Sequence, residues 1–125
     1  MKVTKEEVDM YLKSAKKLAR KNCFIVIPRD KNNEFRRKYK LTNSKIKNII
    51  NLIEPDNFIN IKDSKEIIWH KLWEFCIECE LEEYGNMSNV IVYIKMDNTG
   101  NNIRLDIVSM HEAEFNPNYY FKGGV

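Results

Sequence analysis

The sequence predicts an α+β domain in which two N-terminal helices pack on one face of a mainly antiparallel sheet. Three observations carry that expectation. Apolar residues recur at helical spacing in the segments up to Pro55, and from about residue 71 they recur at every second position. A chain of 125 residues also holds one hydrophobic core comfortably and two only with difficulty. One domain over 1–125 follows, since no repeat or low-complexity linker divides it.

The first helix is expected over 4–20. Thr4 and Glu7 have the spacing of a capping box, and Val3 and Val8 that of a hydrophobic staple. Val8, Leu12, Ala15 and Ala19, with Tyr11 and Leu18, form one apolar stripe, and Lys13, Lys16, Lys17 and Arg20 take the remaining surface. Residues 23–27 are apolar and β-branched up to Pro28, which reads as a short buried strand. Residues 29–40 are polar and basic, and a surface loop with one helical turn is expected there. Thr42 then caps a second helix whose buried face is Ile46, Ile49, Ile50 and Ile53, closed by Pro55.

Over 71–82 the period becomes two: Trp73, Phe75, Ile77, Cys79 and Leu81 alternate with a face rich in glutamate. Residues 89–96 and 103–110 repeat the pattern, and 97–102 supply Asn and Gly for the turn between them. Three strands joined by short connections should pair antiparallel. The tail over 115–125 mixes aromatics with Asn, Pro and Gly and is expected to be loosely held.

Composition limits the function classes. No apolar run approaches the roughly 18 residues needed to cross a bilayer, and Met1–Glu7 shows no apolar stretch behind its charges. A cytoplasmic address, away from membranes, is expected. Cys23, Cys76 and Cys79 are an odd set with no disulfide-scaffold spacing. Cys76-x-x-Cys79 would be half a zinc site, but three residues apart on a strand puts the thiols on opposite faces, so no metal and no other cofactor is expected. Net charge is +3, yet residues 1–47 hold 15 Lys and Arg against 5 Asp and Glu while 48–125 hold 6 against 13. A basic third of this kind suits a polyanion such as RNA, and it equally suits a solvated helix face.

Several short motifs follow one another in a familiar order. They are Leu41-Thr42 running to Leu52-Ile53-Glu54-Pro55-Asp56-Asn57-Phe58, then Trp69 or Trp73, then Val92-Tyr93-Ile94-Lys95, then Ser109-Met110-His111-Glu112-Ala113-Glu114. In order and spacing, over roughly 8–114, they resemble MqsR-type toxins. The resemblance implies a RelE-like fold, metal-independent endoribonuclease activity on mRNA, and neutralisation by an antitoxin protein in a type II toxin-antitoxin system. It also implies roles. Tyr93 matches the family's strand tyrosine, with Lys95 two residues on, and His111 stands where the family has a basic residue in the last strand. His70 follows Trp69 and Glu74 follows Trp73, and either can match the polar residue after the family's tryptophan. Asn60, with Lys62 and Lys65 nearby, lies where the family has a lysine. Residues 78–87 are extra.

Cleaving RNA without a metal needs a base for the 2′-hydroxyl, an acid for the leaving 5′-oxygen and cations at the phosphate. His111 and His70 are the only histidines, and the reference pKa of about 6.5 suits either proton role. Tyr93 would position the 2′-hydroxyl, or act as base if strongly perturbed. Lys95 and Arg29 would offset phosphorane charge, with Arg36, Arg37 and Lys38 on flanking phosphates. Each has an ordinary alternative: packing for Tyr93, solvation for the cations, core burial for both tryptophans, an incidental position for each histidine. A hairpin centred on Asn102, with a bulge near its loop, would set Tyr93 directly opposite His111 at about 4.5–5.5 Å between Cα atoms, with Lys95 on the same face. A tighter turn at Thr99 and Gly100 would slide His111 away. The rival readings are a non-catalytic partner-binding protein on the same fold and a general RNA-binding accessory domain.

Overall fold

In the computed structural model, which describes residues 2–99 and 103–121, helix α1 (Lys5–Arg20) opens the chain. Thr4 accepts from the Glu7 N–H and Glu7 accepts from the Thr4 N–H, so the capping box forms as expected. β1 (Phe24–Val26), α2 (Asp30–Lys38) and α3 (Asn43–Leu52) follow. A single 3₁₀ turn at Pro55–Asn57 leads into β2 (Phe58–Asp63), β3 (Lys71–Glu83), β4 (Asn86–Asp97) and β5 (Leu105–Glu112). The five strands form one sheet in the order β1-β5-β4-β3-β2. Only the β1–β5 pairing is parallel, so the sheet is mixed and mainly antiparallel.

α1 and α3 bury Val8, Leu12, Ile46 and Ile50 against Phe75, Val92, Ile94, Met96, Ile107 and Met110 of the sheet. Trp73 belongs to this side, stacked on Tyr11 with ring centroids 4.2 Å apart. The opposite face, the front, carries the polar residues of the same strands.

The structure corrects the expected element list in two places. Residues 29–40 are a nine-residue helix rather than a loop. Its apolar pattern is too thin to read, because only Asn32 and Phe35 are buried within it. Its charges favour it instead, with Asp30 in the first turn and Arg36, Arg37 and Lys38 in the last complementing the helix dipole. Among the described residues there are therefore three α-helices, not two. The second correction is β2, an edge strand with a register shift between Phe58 and Asn60 that blurs its alternation.

Asn32 shows why α2 docks where it does. β1 stops at Pro28, which cannot continue the ladder, and β5 is left with an open edge. The Asn32 side-chain amide fills it, donating to the Ile27 and Val108 carbonyls at 2.9 and 3.0 Å and accepting from the Met110 N–H at 2.9 Å. Val108 is the extra residue of a bulge, since the register shifts between Lys95 and Met96.

The tail expected to hang loosely is tied down as far as it is described. Phe115 packs on Tyr93 of β4, and the Tyr120 N–H donates to the Phe58 carbonyl of β2 at 2.9 Å. The Tyr120 hydroxyl accepts from the Val3 N–H at 3.0 Å. Tyr120 and Phe121 both pack around Phe58. The chain after β5 thus passes from β4 to the β2 edge as a strap. Residues 122–125 lie outside the described residues, as do 100–102 of the expected β4–β5 turn. Among the described residues no helix is long and apolar enough to cross a membrane.

Candidate functional site

Period-two alternation delivers Tyr93 and Lys95 to the front of β4, and pairing delivers their neighbours. Tyr93 stands opposite His111 of β5 on one side and Cys76 of β3 on the other; Lys95 stands opposite Ser109 and Glu74. This is the register of a hairpin centred on Asn102, with the bulge near the loop. The Tyr93 and His111 rings lie 5.3 Å apart between centroids. His111 Nδ1 lies 3.0 Å from the Glu112 carbonyl oxygen. A carbonyl only accepts, so the contact puts a proton on Nδ1, and in the neutral imidazole Nε2 then carries the lone pair; Glu114 Oε1 lies 3.9 Å from the same Nδ1.

Glu74 joins the group from β3. Its carboxylate is nearly inaccessible, accepts a hydrogen bond from the Tyr93 hydroxyl, and pairs with Lys62 Nζ of β2 at 3.3 Å. Burial, with that bond next in importance, pushes the Tyr93 phenol well above its ordinary value. An upward shift of this kind favours the neutral phenol and counts against the base role left open for Tyr93.

Beside this cluster the front opens into a cleft of about 330 Å³, lined by Arg29, Lys62, Lys65 and Lys95 among others. Arg29 comes from the N-cap of α2, where its side chain makes no capping bond and reaches Glu66 at 3.5 Å instead. Lys65 belongs to the β2–β3 loop. Burial, and then the nearby Arg29 and Lys62 charges, lower the Lys95 ammonium below the usual lysine range despite Glu74. Arg29 is partnered by Glu66 and Lys62 by Glu74, while Lys95 forms no ion pair among the described residues, so an anion would find its attraction at Lys95 and the guanidinium beside it. Asp63, Glu66, Asp97 and Asp106 also line the cleft, so the attraction is local to its Arg29–Lys95 side.

Not every candidate gathers here. His70 sits at the end of the β2–β3 loop with Nδ1 2.7 Å from Asp97 Oδ2, and Asp97 is held in turn by the Thr99 N–H at 2.8 Å. Between the two residues following a tryptophan, Glu74 therefore touches Tyr93 and His70 does not. Arg36 donates to the Leu41 carbonyl and to Asn43 Oδ1, which uses its guanidinium to close the end of α2. Arg37 is fully on the surface, and Lys38 lies 5.3 Å over the Tyr39 ring, lining with Lys31 a shallow depression at His111.

The basic third of the chain gives the cleft only Arg29. Lys62, Lys65 and Lys95 come from the portion with an acidic balance, where their local excess is hidden by the glutamates of β3. Lys62 and Glu74 carried a signal only through their nearness to expected motif positions. Among the described residues no group of His, Cys, Asp and Glu is placed to hold a metal ion, and Cys79 packs in the core while Cys76 faces the front. Compared with known protein families, with curated proteins and with solved structures, the chain finds no match.

Proposed function

We propose that the protein is a metal-independent endoribonuclease acting on mRNA, a cytoplasmic toxin held in check by an antitoxin protein, on a RelE-like variant of the α+β fold. The observation that carries the reading is the register that sets His111 against Tyr93 with Lys95 on the same face, at the border of the cation-lined cleft.

A phosphodiester seated between Arg29, Lys62 and Lys95 has its charge offset as the phosphorane forms. His111 and Lys95 are diagonal neighbours across the ladder, about 7–8 Å apart at Cα, enough to flank one phosphate. His111 Nε2 takes the 2′-hydroxyl proton as the O2′–P bond forms. The P–O5′ bond breaks, and Lys95, made a better acid by burial and like charges, returns a proton to the leaving oxygen. The products are a 2′,3′-cyclic phosphate and a free 5′-hydroxyl. Tyr93, fixed by Glu74, orients the ribose.

A second reading, a non-catalytic RNA- or partner-binding protein, draws on the burial of Tyr93 and Glu74, 8% and 3% exposed with Phe115 against Tyr93. One experiment separates the two. Purified protein incubated with a defined RNA in EDTA should yield discrete fragments with cyclic-phosphate ends; intact RNA would overturn the nuclease reading.

A further inference from the structure

The segment between β2 and β3 presents three large apolar side chains to water in a row. Ile67 is 46%, Ile68 85% and Trp69 68% exposed. The segment is not a slack loop. The Ser64 N–H donates to the His70 carbonyl, the His70 N–H to the Ile67 carbonyl, and Ser64 Oγ accepts from the N–H groups of Glu66 and Ile67. Its neck is fastened to the end of β4 twice, through His70 to Asp97 and through Lys71, whose N–H and carbonyl both bond to Thr99 Oγ1. Trp69 itself sits at φ +66°, a left-handed conformation that a bulky residue rarely adopts. The chain thus holds an exposed indole in an unfavourable backbone state, with the His70 ring 4.7 Å away and tilted 60° to it. Strain of this kind concentrates where side chains are aimed at a ligand.

The surroundings of the loop favour one class of ligand. Ile67 and the three residues Ser64, Lys65 and Glu66 form one wall of the cleft whose other walls carry Arg29, Lys62 and Lys95. The cleft also holds Asp63, Glu66, Asp97 and Asp106, so its basic part is the Arg29–Lys95 side, and Trp69 stands two residues beyond the wall at Ile67. A flat aromatic surface near a local basic strip is a pairing that suits single-stranded nucleic acid, since the backbone follows the charge and an unpaired base stacks on the ring. A protein partner would call for a broader apolar surround, whereas this tip is bordered by Lys65, Glu66, Asp63 and Lys71, all exposed.

We propose that Trp69 is a base-stacking subsite, holding an unpaired nucleobase adjacent to the phosphate in the Arg29–Lys95 cleft, and that His70 and Asp97 act as positioning residues for it rather than in proton transfer. This rests on the ribonuclease reading and adds to it where the substrate strand runs: off the sheet and onto the β2–β3 loop.

The test uses the intact protein and a single-stranded 2′-O-methyl oligonucleotide, which has no nucleophile and stays uncut. Binding should quench the fluorescence of wild-type protein. Trp69→Ala should weaken binding about tenfold or more, the scale of one base–aromatic stack, while Trp69→Phe loses the quench but keeps affinity within a few-fold. Both variants should unfold at the wild-type temperature, because the side chain touches little of the core. His70→Ala should weaken binding in the same sense and leave the pH profile of RNA cleavage unchanged. If Trp69→Ala binds as wild type while RNA is still cut, the stacking subsite falls and the nuclease stands. If wild-type protein neither binds nor cuts RNA, both fall. A Trp69→Ala variant that binds RNA normally but loses a co-purifying protein would make the loop a protein-docking tip and overturn the proposal.

Discussion

Tyr93 and His111 face one another across the β4–β5 ladder, and Tyr93's hydroxyl is committed to Glu74 rather than to the imidazole. The pair therefore divides labour, with a fixed phenol beside a histidine whose Nε2 is unclaimed by that phenol. His111→Ala is expected to lower cleavage by about 10²- to 10⁴-fold, the usual contribution of a proton-transfer group, with the unfolding midpoint little changed. Tyr93→Phe removes one hydrogen bond to a carboxylate and should cost about tenfold. Single-turnover rates on a defined RNA check both. A His111→Ala protein cutting at the parental rate would place the chemistry elsewhere.

Lys95 should oppose function to stability. Its folded-state pKa lies below the unfolded value, so the native state binds fewer protons between the two and stability rises with pH through that window. Below it, at neutral pH, the cost of the buried charge is fully present. Lys95→Met should thus melt higher than wild type at pH 7, with the difference vanishing at strongly alkaline pH, and should cleave RNA poorly. Wild-type RNA binding should in turn fade at a lower pH than an ordinary lysine would allow. Thermal melts across pH decide the matter, and a lower-melting Lys95→Met would refute it.

Phosphate binding is expected at the cleft more than on the outer face of α2. Arg29→Ala with Lys65→Ala should make the dependence of log affinity on log salt shallower, by about 0.7 for each phosphate of a single strand that is no longer neutralised. Arg37→Ala with Lys38→Ala should change it less. Arg36→Ala should instead cost about 0.5–1.5 kcal/mol of stability through the absence of its bonds to Leu41 and Asn43. Equal salt slopes for the two double variants would spread the interface over the whole basic third.

Asn32→Ala should be the most damaging polar substitution away from the cleft. It leaves the Met110 N–H and the Ile27 and Val108 carbonyls without their partner in a buried setting, at about 1–3 kcal/mol for a stranded group. Asn32→Asp should be no better, since a carboxylate cannot donate to two carbonyls. Chemical denaturation measures both, and a loss under about 1 kcal/mol would mean that water replaces the amide.

Much of the fold is legible in the sequence because its long elements obey one period each. Thr4 and Glu7 announce α1, four isoleucines announce α3, and alternation announces β3 to β5. α2 and β2 stay hidden, for opposite reasons: α2 is held by the Asn32 amide, the single core residue Phe35 and its end charges rather than by an apolar stripe, and β2 is an edge whose bulge breaks the count. The parallel β1–β5 pairing is invisible because nothing local to 24–26 names a partner. At the site, His111, Tyr93 and Lys95 stand out in the sequence only through the resemblance of their short motifs, and Glu74 only as one of two residues that follow a tryptophan. Their closeness, and that of Lys62, exists only across strands.

That parallel pairing has a consequence in time. Phe24 is among the first sheet residues a ribosome would release, and Leu105, its partner, among the last. Contacts so distant in sequence form late and slowly. Arg29 is carried just beyond β1, so a nascent chain possesses the arginine long before it possesses the strand that anchors β1 beside the cleft. The Arg29 side of the cleft is therefore assembled only once β5 has been made and has closed against β1.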